Sequence, residues 1–431
     1  RQRQMCIRDR DGTTTLFGLG GVGYLNHLEK ILDILNKTGT EIDEIIDNRK
    51  SYNLNFEKVT ETFWADQGKV WPVGHEKVGQ PIMLRDYQVE AINRFVETPQ
   101  ALQQIATGAG KTITTATLAK IAEVVGRTIV IVPNKGLVEQ TEEDFINVGL
   151  DVGVYYGDRK DIYKTHTICT WQSLNILDKK SKDHEHDIIT LAEFLDGVST
   201  VIVDEVHMAK ADVLKKLLTH NLCNAPIRWG LTGTVPKEAF EYESIFASIG
   251  PVIGGISAHE LQQKGVLSNC HVNIVQMIDL PEFKNYHEEN RYLVTNPDRL
   301  NYIANLIKKI SETGNTLVLV NLIDTGNYLQ AHLSNSFSIL QELPDVAFIS
   351  GKIKTKDRKN DYDDFKTSNS KITIATYGVA AVGINIPRIF NLVLIEPGKS
   401  FVRVIQSIGR GIRRAEDKDF VDIWDLTSTC K

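Results

Sequence analysis

The sequence predicts an α/β protein in which two doubly wound parallel sheets follow one another, after a small and truncated N-terminal α/β appendage. Three observations predict this fold class. Short β-branched runs alternate with longer amphipathic segments from about residue 101 onward, which is typical of a parallel sheet covered by helices. The best runs are apolar almost throughout, as strands buried on both faces are. The 431 residues suffice for about three domains of roughly 150 residues.

The first predicted unit contains six strand candidates separated by helical patterns. The strands are LQQIA (102–106), TIVIVP (128–133), VGVYY (152–156), HTICT (166–170), TVIVDE (200–205) and RWGLTG (228–233). The helical patterns cover residues 111–125, 136–148, 188–195 and 211–220.

The second predicted unit begins after a helix opened by NPDR (296–299). Its strands are TLVLVN (316–321), VAFIS (346–350), KITIAT (371–376), FNLVLIE (390–396) and FVDIWDL (420–426).

These patterns divide the chain into five segments. Residues 81–255 form the first sheet domain and residues 276–431 the second, with a hinge at 256–275 that follows the turn residues of GPVIGG. Residues 11–80 form a partial accessory domain. Residues 1–10 (RQRQMCIRDR) differ from the rest of the chain, and we interpret them as a sequencing or assembly artefact.

Composition excludes several classes of protein. The 49 Lys and Arg residues against 55 Asp and Glu residues give a net charge of −6, which excludes a uniformly basic nucleic-acid coat but not a local basic groove. The five cysteines form no CxxC pair, which predicts a reducing compartment and no zinc site. No apolar run approaches the roughly 18 residues that span a bilayer, so we expect a cytoplasmic protein without a membrane partner.

A glycine-rich segment, IATGAGKT (105–112), follows a strand candidate and opens a helix. In that context the main chain from Thr107 to Gly110, which includes Gly108 and Ala109, can direct amides at phosphates. Lys111 then reaches the β and γ phosphates, and the hydroxyl of Thr112 binds Mg²⁺. We predict an ATP and Mg²⁺ site here. A plain glycine-rich turn between strand and helix is the alternative.

An acidic segment, DEVH (204–207), ends the most apolar strand of the first unit. Asp204 there suits Mg²⁺ coordination, and Glu205 suits activation of the attacking water. Such a segment alone is more often a helix cap or a solvated turn. Its position in one α/β unit with the glycine-rich segment favours the catalytic interpretation.

An arginine-rich segment, QSIGRGIRR (406–414), lies in the second unit. Arg410 and Arg413 are three residues apart and share a helix face, so both could reach a γ-phosphate. A solvated basic helix face is the alternative.

The order and spacing of these segments resemble those of superfamily 2 DNA helicases and translocases, over about residues 84–426. That family has two RecA-like domains and hydrolyses ATP. LRDYQ (84–88) resembles the motif before the phosphate loop, in which Gln88, with Arg85 nearby, reads adenine. IATGAGKT resembles motif I and DEVH motif II, while QSIGRGIRR resembles motif VI and adds Gln406 to the catalytic set. ATYGVAAVGINIP (375–387) resembles motif V and would place Gly383 at the nucleotide.

The resemblance also implies a bound DNA strand that crosses both domains. VPNKGLVEQ (132–140) resembles motif Ia, TWQS (170–173) the segment that grips the nucleic-acid backbone, and LTGT (231–234) motif III. The implied contacts with nucleic acid are Asn134, Lys135, Thr170, Gln172 and Thr376, and the implied coupling residues are His207, Thr232 and Thr234.

Within the superfamily the sequence is most similar to the UvsW-like phage recombination helicases, and the RecG and XPB groups are more distant. This likeness implies a DEAD/DEAH-like, ATP-dependent motor on single-stranded or branched DNA in recombination and repair. It also implies other recombination proteins as partners and, if the protein is phage-encoded, the host-cell cytoplasm. The alternatives are an RNA helicase, the motor subunit of a restriction complex, and a nucleotide-dependent nucleic-acid-binding module without turnover.

Two further segments have weaker interpretations. GLGGVG (18–23) fits the GxGxxG pattern of dinucleotide-binding proteins, but no long strand precedes it, so a turn is the better interpretation. KIKTKDRK (352–359) is a basic run that fits either a DNA contact or a solvated face.

Overall fold

A computed structural model of the chain describes residues 17–18, 21–47, 49–75, 77–182, 189–209, 212–338, 346–350, 368–380, 388–395, 408–409, 411–415 and 417–429. The chain forms two compact units. Residues 1–104 and 112–255 make up the first unit, and residues 105–111 and 256–431 the second. In the described part of the chain, helices are too short or too polar to cross a membrane.

The first sheet has eight strands in the spatial order β4-β3-β5-β2-β6-β7-β1-β8. Neighbouring strands from β3 to β1 in that order are parallel, and the two-residue β4 pairs with β3 in the antiparallel sense. The strands are β1 (Gln100–Ile105), β2 (Arg127–Val132), β3 (Val152–Tyr156), β4 (Arg159–Lys160), β5 (His166–Thr170), β6 (Val198–Asp204), β7 (Ile227–Thr232) and β8 (Val252–Ile256).

The helices of the first unit pack on this sheet because their apolar residues face it. Leu102, Ile129 and Val201 from three strands share one buried cluster with Leu174 and Leu217 from helical segments. The α-helices are α1 (Leu28–Lys37), α2 (Asp86–Glu97), α3 (Lys111–Ala122), α4 (Lys135–Asn147), α5 (Trp171–Lys182), α6 (Leu191–Phe194), α7 (Asp212–Lys216) and α8 (Ala239–Ser248).

The segment before α2 carries no long strand among its described residues. It contains α1, two short 3₁₀ turns and isolated bridges such as the one between Phe17 and Gly23. Between the ends of that bridge, the Gly18 carbonyl accepts a hydrogen bond from Gly21 N at 3.0 Å. Trp64, further along, is fully buried, and its Nε1 donates to Thr117 Oγ1 on α3 at 2.9 Å.

The six strands predicted in the first unit are confirmed, with ends that differ by two residues or fewer. The short β4 and the strand β8 were not predicted. The predicted helix at 211–220 divides, because α7 ends at Lys216 and a π-helical turn follows at Leu217–Asn221.

The second sheet has six strands in the order β11-β12-β10-β13-β14-β9, and all its neighbours are parallel. The five strands predicted in this unit are confirmed. The strands are β9 (Asn269–Met277), β10 (Thr316–Val320), β11 (Val346–Ile349), β12 (Ile372–Thr376), β13 (Asn391–Ile395) and β14 (Phe420–Ser428). The helices are α9 (Ala258–Gln263), α10 (Tyr286–Thr295), α11 (Pro297–Ser311), α12 (Ile323–Ser338) and α13 (Tyr377–Ala380).

The edge strand β9 was not predicted. It pairs with β14 over nine residue pairs, although Val272 and Ile274 on one of its faces are exposed. Residues 256–275, which the sequence assigned to a hinge, contain α9 and most of β9. The end of β14 is anchored by a buried network, in which Asp279 accepts hydrogen bonds from Arg299 Nε and from Ser428 Oγ.

A buried histidine links α3 to the start of β5. His166 is fully buried, and its Nε2 lies 2.9 Å from Glu123 Oε1, while Lys120 Nζ contacts the other carboxylate oxygen at 2.6 Å. The His166 Nδ1 atom is buried without a hydrogen-bond partner in the described residues. Burial lowers the pKa of His166, although the Glu123 carboxylate acts in the opposite direction. The folded first unit therefore holds this imidazole neutral.

This histidine should make the first unit less stable in acid. The unfolded chain binds a proton near pH 6.5 and the folded chain only at lower pH, so stability is lost as the pH falls below the unfolded value, by up to about 1.4 kcal/mol per pH unit. We expect the melting temperature of His166→Gln to fall less between pH 7.5 and 5.5 than that of the wild type. The matched control is His220→Gln, because His220 is an exposed histidine of the same unit. An equal fall in melting temperature for the wild type and His166→Gln would contradict the assignment of His166 as a buried, neutral histidine.

Candidate functional site

The predicted site segments of the first sheet all follow the carboxyl ends of its strands. Asp204 on β6 and Gln103 on β1 are both in register with Leu231 on β7, so the three residues lie level across the sheet. The segments that follow are 106–110 after β1, 133–134 after β2, 171–173 after β5, 205–207 after β6 and 233–234 after β7. Parallel strands end at a common edge, and ligands of open α/β sheets bind there.

The glycine-rich loop joins β1 to the start of α3. Gly108 and Gly110 have φ angles of +88° and +79°, a left-handed conformation that other residues adopt only at a cost. The buried Ala109 donates its N–H to Ala106 O at 3.2 Å. Lys111 and Thr112 are the first two residues of the 12-residue α3. A glycine loop that enters a helix N-terminus has the amide geometry and the dipole direction that bind phosphate.

The acidic end of β6 has an unusual backbone. Glu205 has φ +53°, although it is not a glycine, and strain of this kind costs on the order of 1–3 kcal/mol. Its main-chain N–H donates to Asp204 Oδ1 at 2.8 Å, which fixes the orientation of that carboxylate. Asp204 and Glu205 also line a small pocket together with Pro133 and Trp171. Both carboxylates therefore lie at the predicted edge of the sheet.

A hydrogen-bonded network connects the acidic segment to the loop after β7. Thr232 Oγ1 donates to Thr234 O at 2.8 Å, so it accepts at the 2.7 Å contact with His207 Nδ1. This assigns the Nδ1 proton of the buried His207, which also lies 3.2 Å from Glu205 Oε2. The three predicted coupling residues are thus in one network with Glu205.

The residues before the loop form a helix cap. Gln88 is buried, and its Oε1 accepts the Arg85 N–H at 2.9 Å, while Arg85 Nη1 donates to Tyr87 Oη. The amide of Gln88 is therefore held at the start of α2. Reading of adenine by this amide remains a prediction.

Two of the predicted nucleic-acid contacts also cap helices. Asn134 Oδ1 accepts from Leu137 N at 3.0 Å at the start of α4, and Thr170 Oγ1 accepts from Ser173 N at 3.2 Å at the start of α5. Gln172 Nε2 donates to Pro133 O at 3.4 Å. The ammonium of Lys135 lies 5.4 Å from the centre of the Tyr156 ring. The four residues share the carboxyl edge of the first sheet, and a role in binding nucleic acid remains a prediction.

In the second unit, Thr376 ends β12, and the main chain of Arg413 forms an isolated antiparallel bridge with Leu267. Residues 105–111 belong to this unit. Within it, the Cγ atom of Arg413 lies 4.0 Å from the position that a Cβ atom on Gly108 would occupy. Gln406, Arg410 and Gly383 lie outside the described residues, as does the basic run 352–359.

Two family models match the chain. The first, described as the res subunit of type III restriction enzymes, matches residues 81–237. The second, described as the conserved C-terminal domain of helicases, matches residues 298–415. The chain belongs to superfamily 2 of the helicases. Its two sheets are the tandem RecA-like domains of that superfamily, as the sequence predicted.

Curated relatives of this helicase include the ATP-dependent DNA helicase uvsW of Enterobacteria phage T4, at 23% identity over 358 residues that cover 79% of this chain and 67% of the phage protein. The DNA 3′-5′ helicase XPB of Kineococcus radiotolerans is 25% identical over 359 residues, which cover 80% of this chain and 60% of that protein. The chain thus spans about two thirds of the length of these relatives.

Among solved structures, the helicase Lhr of Mycobacterium smegmatis bound to ssDNA and AMP-PNP is similar, with a TM-score of 0.55 and 19% identity. The likeness covers 79% of this chain and 45% of Lhr. At this identity the comparison bears on the fold alone.

Gly108 should be necessary for nucleotide binding. In Gly108→Ala the alanine must adopt the left-handed φ of +88°, and its Cβ lies 2.8 Å from Leu267 Cδ2, so the loop or the Leu267 side chain must shift. We expect ATP affinity to fall by about tenfold or more, measured by titration with a fluorescent ATP analogue.

Gly157→Ala is the matched control, because Gly157 has φ +51° and no heavy atom within 4 Å of its Cβ position. It should lower the melting temperature and leave ATP affinity unchanged. Equal affinities in Gly108→Ala and wild type would show that the loop does not bind the nucleotide.

Proposed function

We propose that the chain is the motor core of an ATP-dependent DNA helicase or translocase. The observation that carries this proposal is that the glycine-rich loop, the acidic segment and the LTGT segment all occur at carboxyl ends of strands of one parallel sheet. Each segment alone has a structural interpretation. A phosphate loop beside two carboxylates is the donor set of a nucleotide hydrolase.

The residues at this edge fit a magnesium nucleotide. The amides of 107–110 and the N-terminus of α3 bind phosphates, and Lys111 neutralises the β and γ phosphates. The hydroxyl of Thr112 and the carboxylate of Asp204 are oxygen ligands of the kind that Mg²⁺ prefers. Bound Mg²⁺ supplies charge neutralisation on the transferred phosphoryl group.

Two further groups complete the proposed chemistry. Glu205 positions the attacking water and accepts its proton, since its carboxylate follows the Mg²⁺ ligand directly. Arg413 stabilises the charge that develops on the γ-phosphate, together with Arg410 and Gln406. The His207 and Thr232 network gives Glu205 a direct connection to the loop after β7, so a change at the nucleotide can move that loop.

We assign DNA as the partner. The T4 and Kineococcus relatives are both named DNA helicases. Asn134, Lys135, Thr170 and Gln172 at the sheet edge and Thr376 in the second sheet then contact phosphates and sugars, which gives affinity without sequence preference. Branched recombination or repair DNA is the proposed substrate, and other recombination proteins are the proposed partners.

A second candidate is the motor subunit of a restriction complex, because the first family match is to a restriction subunit. An RNA helicase shares the same chemistry. A binding module without turnover is less consistent with Glu205, because a module that only binds nucleotide needs no strained acidic residue beside its metal ligand.

The test is ATP hydrolysis by the wild type, Lys111→Ala and Glu205→Gln, with no nucleic acid, RNA, single-stranded DNA, linear duplex and forked DNA. We expect stimulation in the wild type to be largest with forked DNA. Lys111→Ala should lose ATP binding, and Glu205→Gln should bind ATP but turn over about 10²-fold or more slowly. Melting curves check that both variants fold.

The other outcomes separate the alternatives. Stimulation by RNA alone would assign an RNA helicase, and stimulation by linear duplex alone would favour a restriction motor. Equal and negligible turnover in wild type and Glu205→Gln would identify a binding module. Nucleic-acid-stimulated hydrolysis that persists in Lys111→Ala would refute the assigned site.

A further inference from the structure

The segment that carries Arg413 is held by its main chain. Ile408, Gly409 and Gly411 are helical, and Ile412 N donates to Ile408 O at 3.0 Å. Ser268 N then donates to Ile412 O at 2.8 Å, and the Arg413 main chain bridges to Leu267. This segment is therefore held against the two residues that precede β9. The carbonyl groups at this end need donors, as those at every helix C-terminus do.

A buried lysine supplies those donors. Lys418 is 1% exposed, and its Nζ donates to Gly411 O and, at 2.8 Å, to Arg413 O. Its own carbonyl accepts from Ser268 Oγ at 3.2 Å, and its N–H donates to Ala415 O at 3.1 Å. One side chain thus joins both carbonyls that flank Ile412 in the arginine-bearing segment.

Burial of an ammonium group destabilises its charged form, and the pKa of Lys418 reflects this. Burial lowers the pKa of Lys418 to about 7. The carboxylate of the neighbouring Asp417 accepts a hydrogen bond from Arg388 Nη2 at 2.6 Å. An apolar side chain of similar length would occupy the same volume without this cost, but it would leave Gly411 O and Arg413 O without these donors. The hydrogen bonds to the segment of Arg413 therefore explain a lysine at this position.

We infer that Lys418 is a positioning residue for Arg413, holding the main chain of a residue whose Cγ lies beside Gly108 of the phosphate loop. Charge-assisted hydrogen bonds to Gly411 O and Arg413 O fix the end of the helical turn, and the positive charge is favourable at a helix C-terminus. Because Arg413 lies near Gly108, the position of its main chain affects how this arginine stands at the phosphate loop. The inference rests on the proposed function, because it assigns Lys418 to the step that Arg413 assists.

The test is a double-mutant cycle on DNA-stimulated ATP hydrolysis, with wild type, Lys418→Met, Arg413→Ala and the double variant. Methionine keeps the length of the side chain and removes its donors. We expect kcat of Lys418→Met to fall by between about tenfold and a hundredfold, with KM for ATP within about twofold of wild type. In the Arg413→Ala background the same change should have no further effect, because the group that it positions is absent.

Arg414→Met is the matched control. Arg414 is the neighbour of Arg413 in sequence, its side chain is exposed, and it contacts Gly265 O and the exposed Asp419. Exposed ion pairs contribute little, so kcat of Arg414→Met should stay within about twofold of wild type. If Lys418→Met does not fold, Lys418→Gln, which keeps two N–H donors on a shorter side chain, takes its place in the cycle.

The remaining outcomes are distinct. An unchanged kcat in Lys418→Met, or a loss that adds fully to that of Arg413→Ala, overturns the positioning role while the proposed function stands. An unchanged kcat in Arg413→Ala overturns the assignment of the arginine in the proposed function, and the role of Lys418 with it.

Discussion

The parallel direction of the strands is the constraint on which the rest of this structure depends. In the first sheet, β2, β5, β6, β7 and β1 all run the same way, so the loops after their carboxyl ends meet at one edge. Residues more than a hundred positions apart, such as Gln104 and Thr232, are brought level at that edge by register alone. The chemistry of the site then follows from which side chains those five loops carry.

The strands and the glycine-rich loop could be predicted because their signals are local. An apolar run such as TIVIVP has one low-energy solution in a chain of this composition, and GAGKT after a strand has few alternatives. The strands β8 and β9 could not be predicted in this way. GPVIGG contains turn residues, and β9 alternates as an edge strand with an exposed face, so tertiary pairing decides both.

Side-chain partners were predicted least well. Asn134 and Thr170 were expected at a nucleic-acid surface, and they are also helix caps, a role that their residue types favour in any sequence. Lys418 gave no signal, because a lysine in the polar run AEDKDF is typical of a solvated turn. Its main-chain carbonyl accepts a hydrogen bond from Ser268, 150 residues away. Local patterns carry no information on such contacts.

Two residues in or beside the proposed catalytic groups are held against their ordinary preferences. Glu205 is left-handed without being a glycine, and Lys418 is buried with a pKa of about 7. Proteins keep such costs where function requires them. The most direct test is a structure of the helicase with Mg²⁺, ADP and aluminium fluoride. The account predicts the fluoride group within hydrogen-bond distance of both Lys111 and Arg413, with Asp204 at the metal. Nucleotide bound away from residues 106–112, or an Arg413 that does not approach it, would contradict the account.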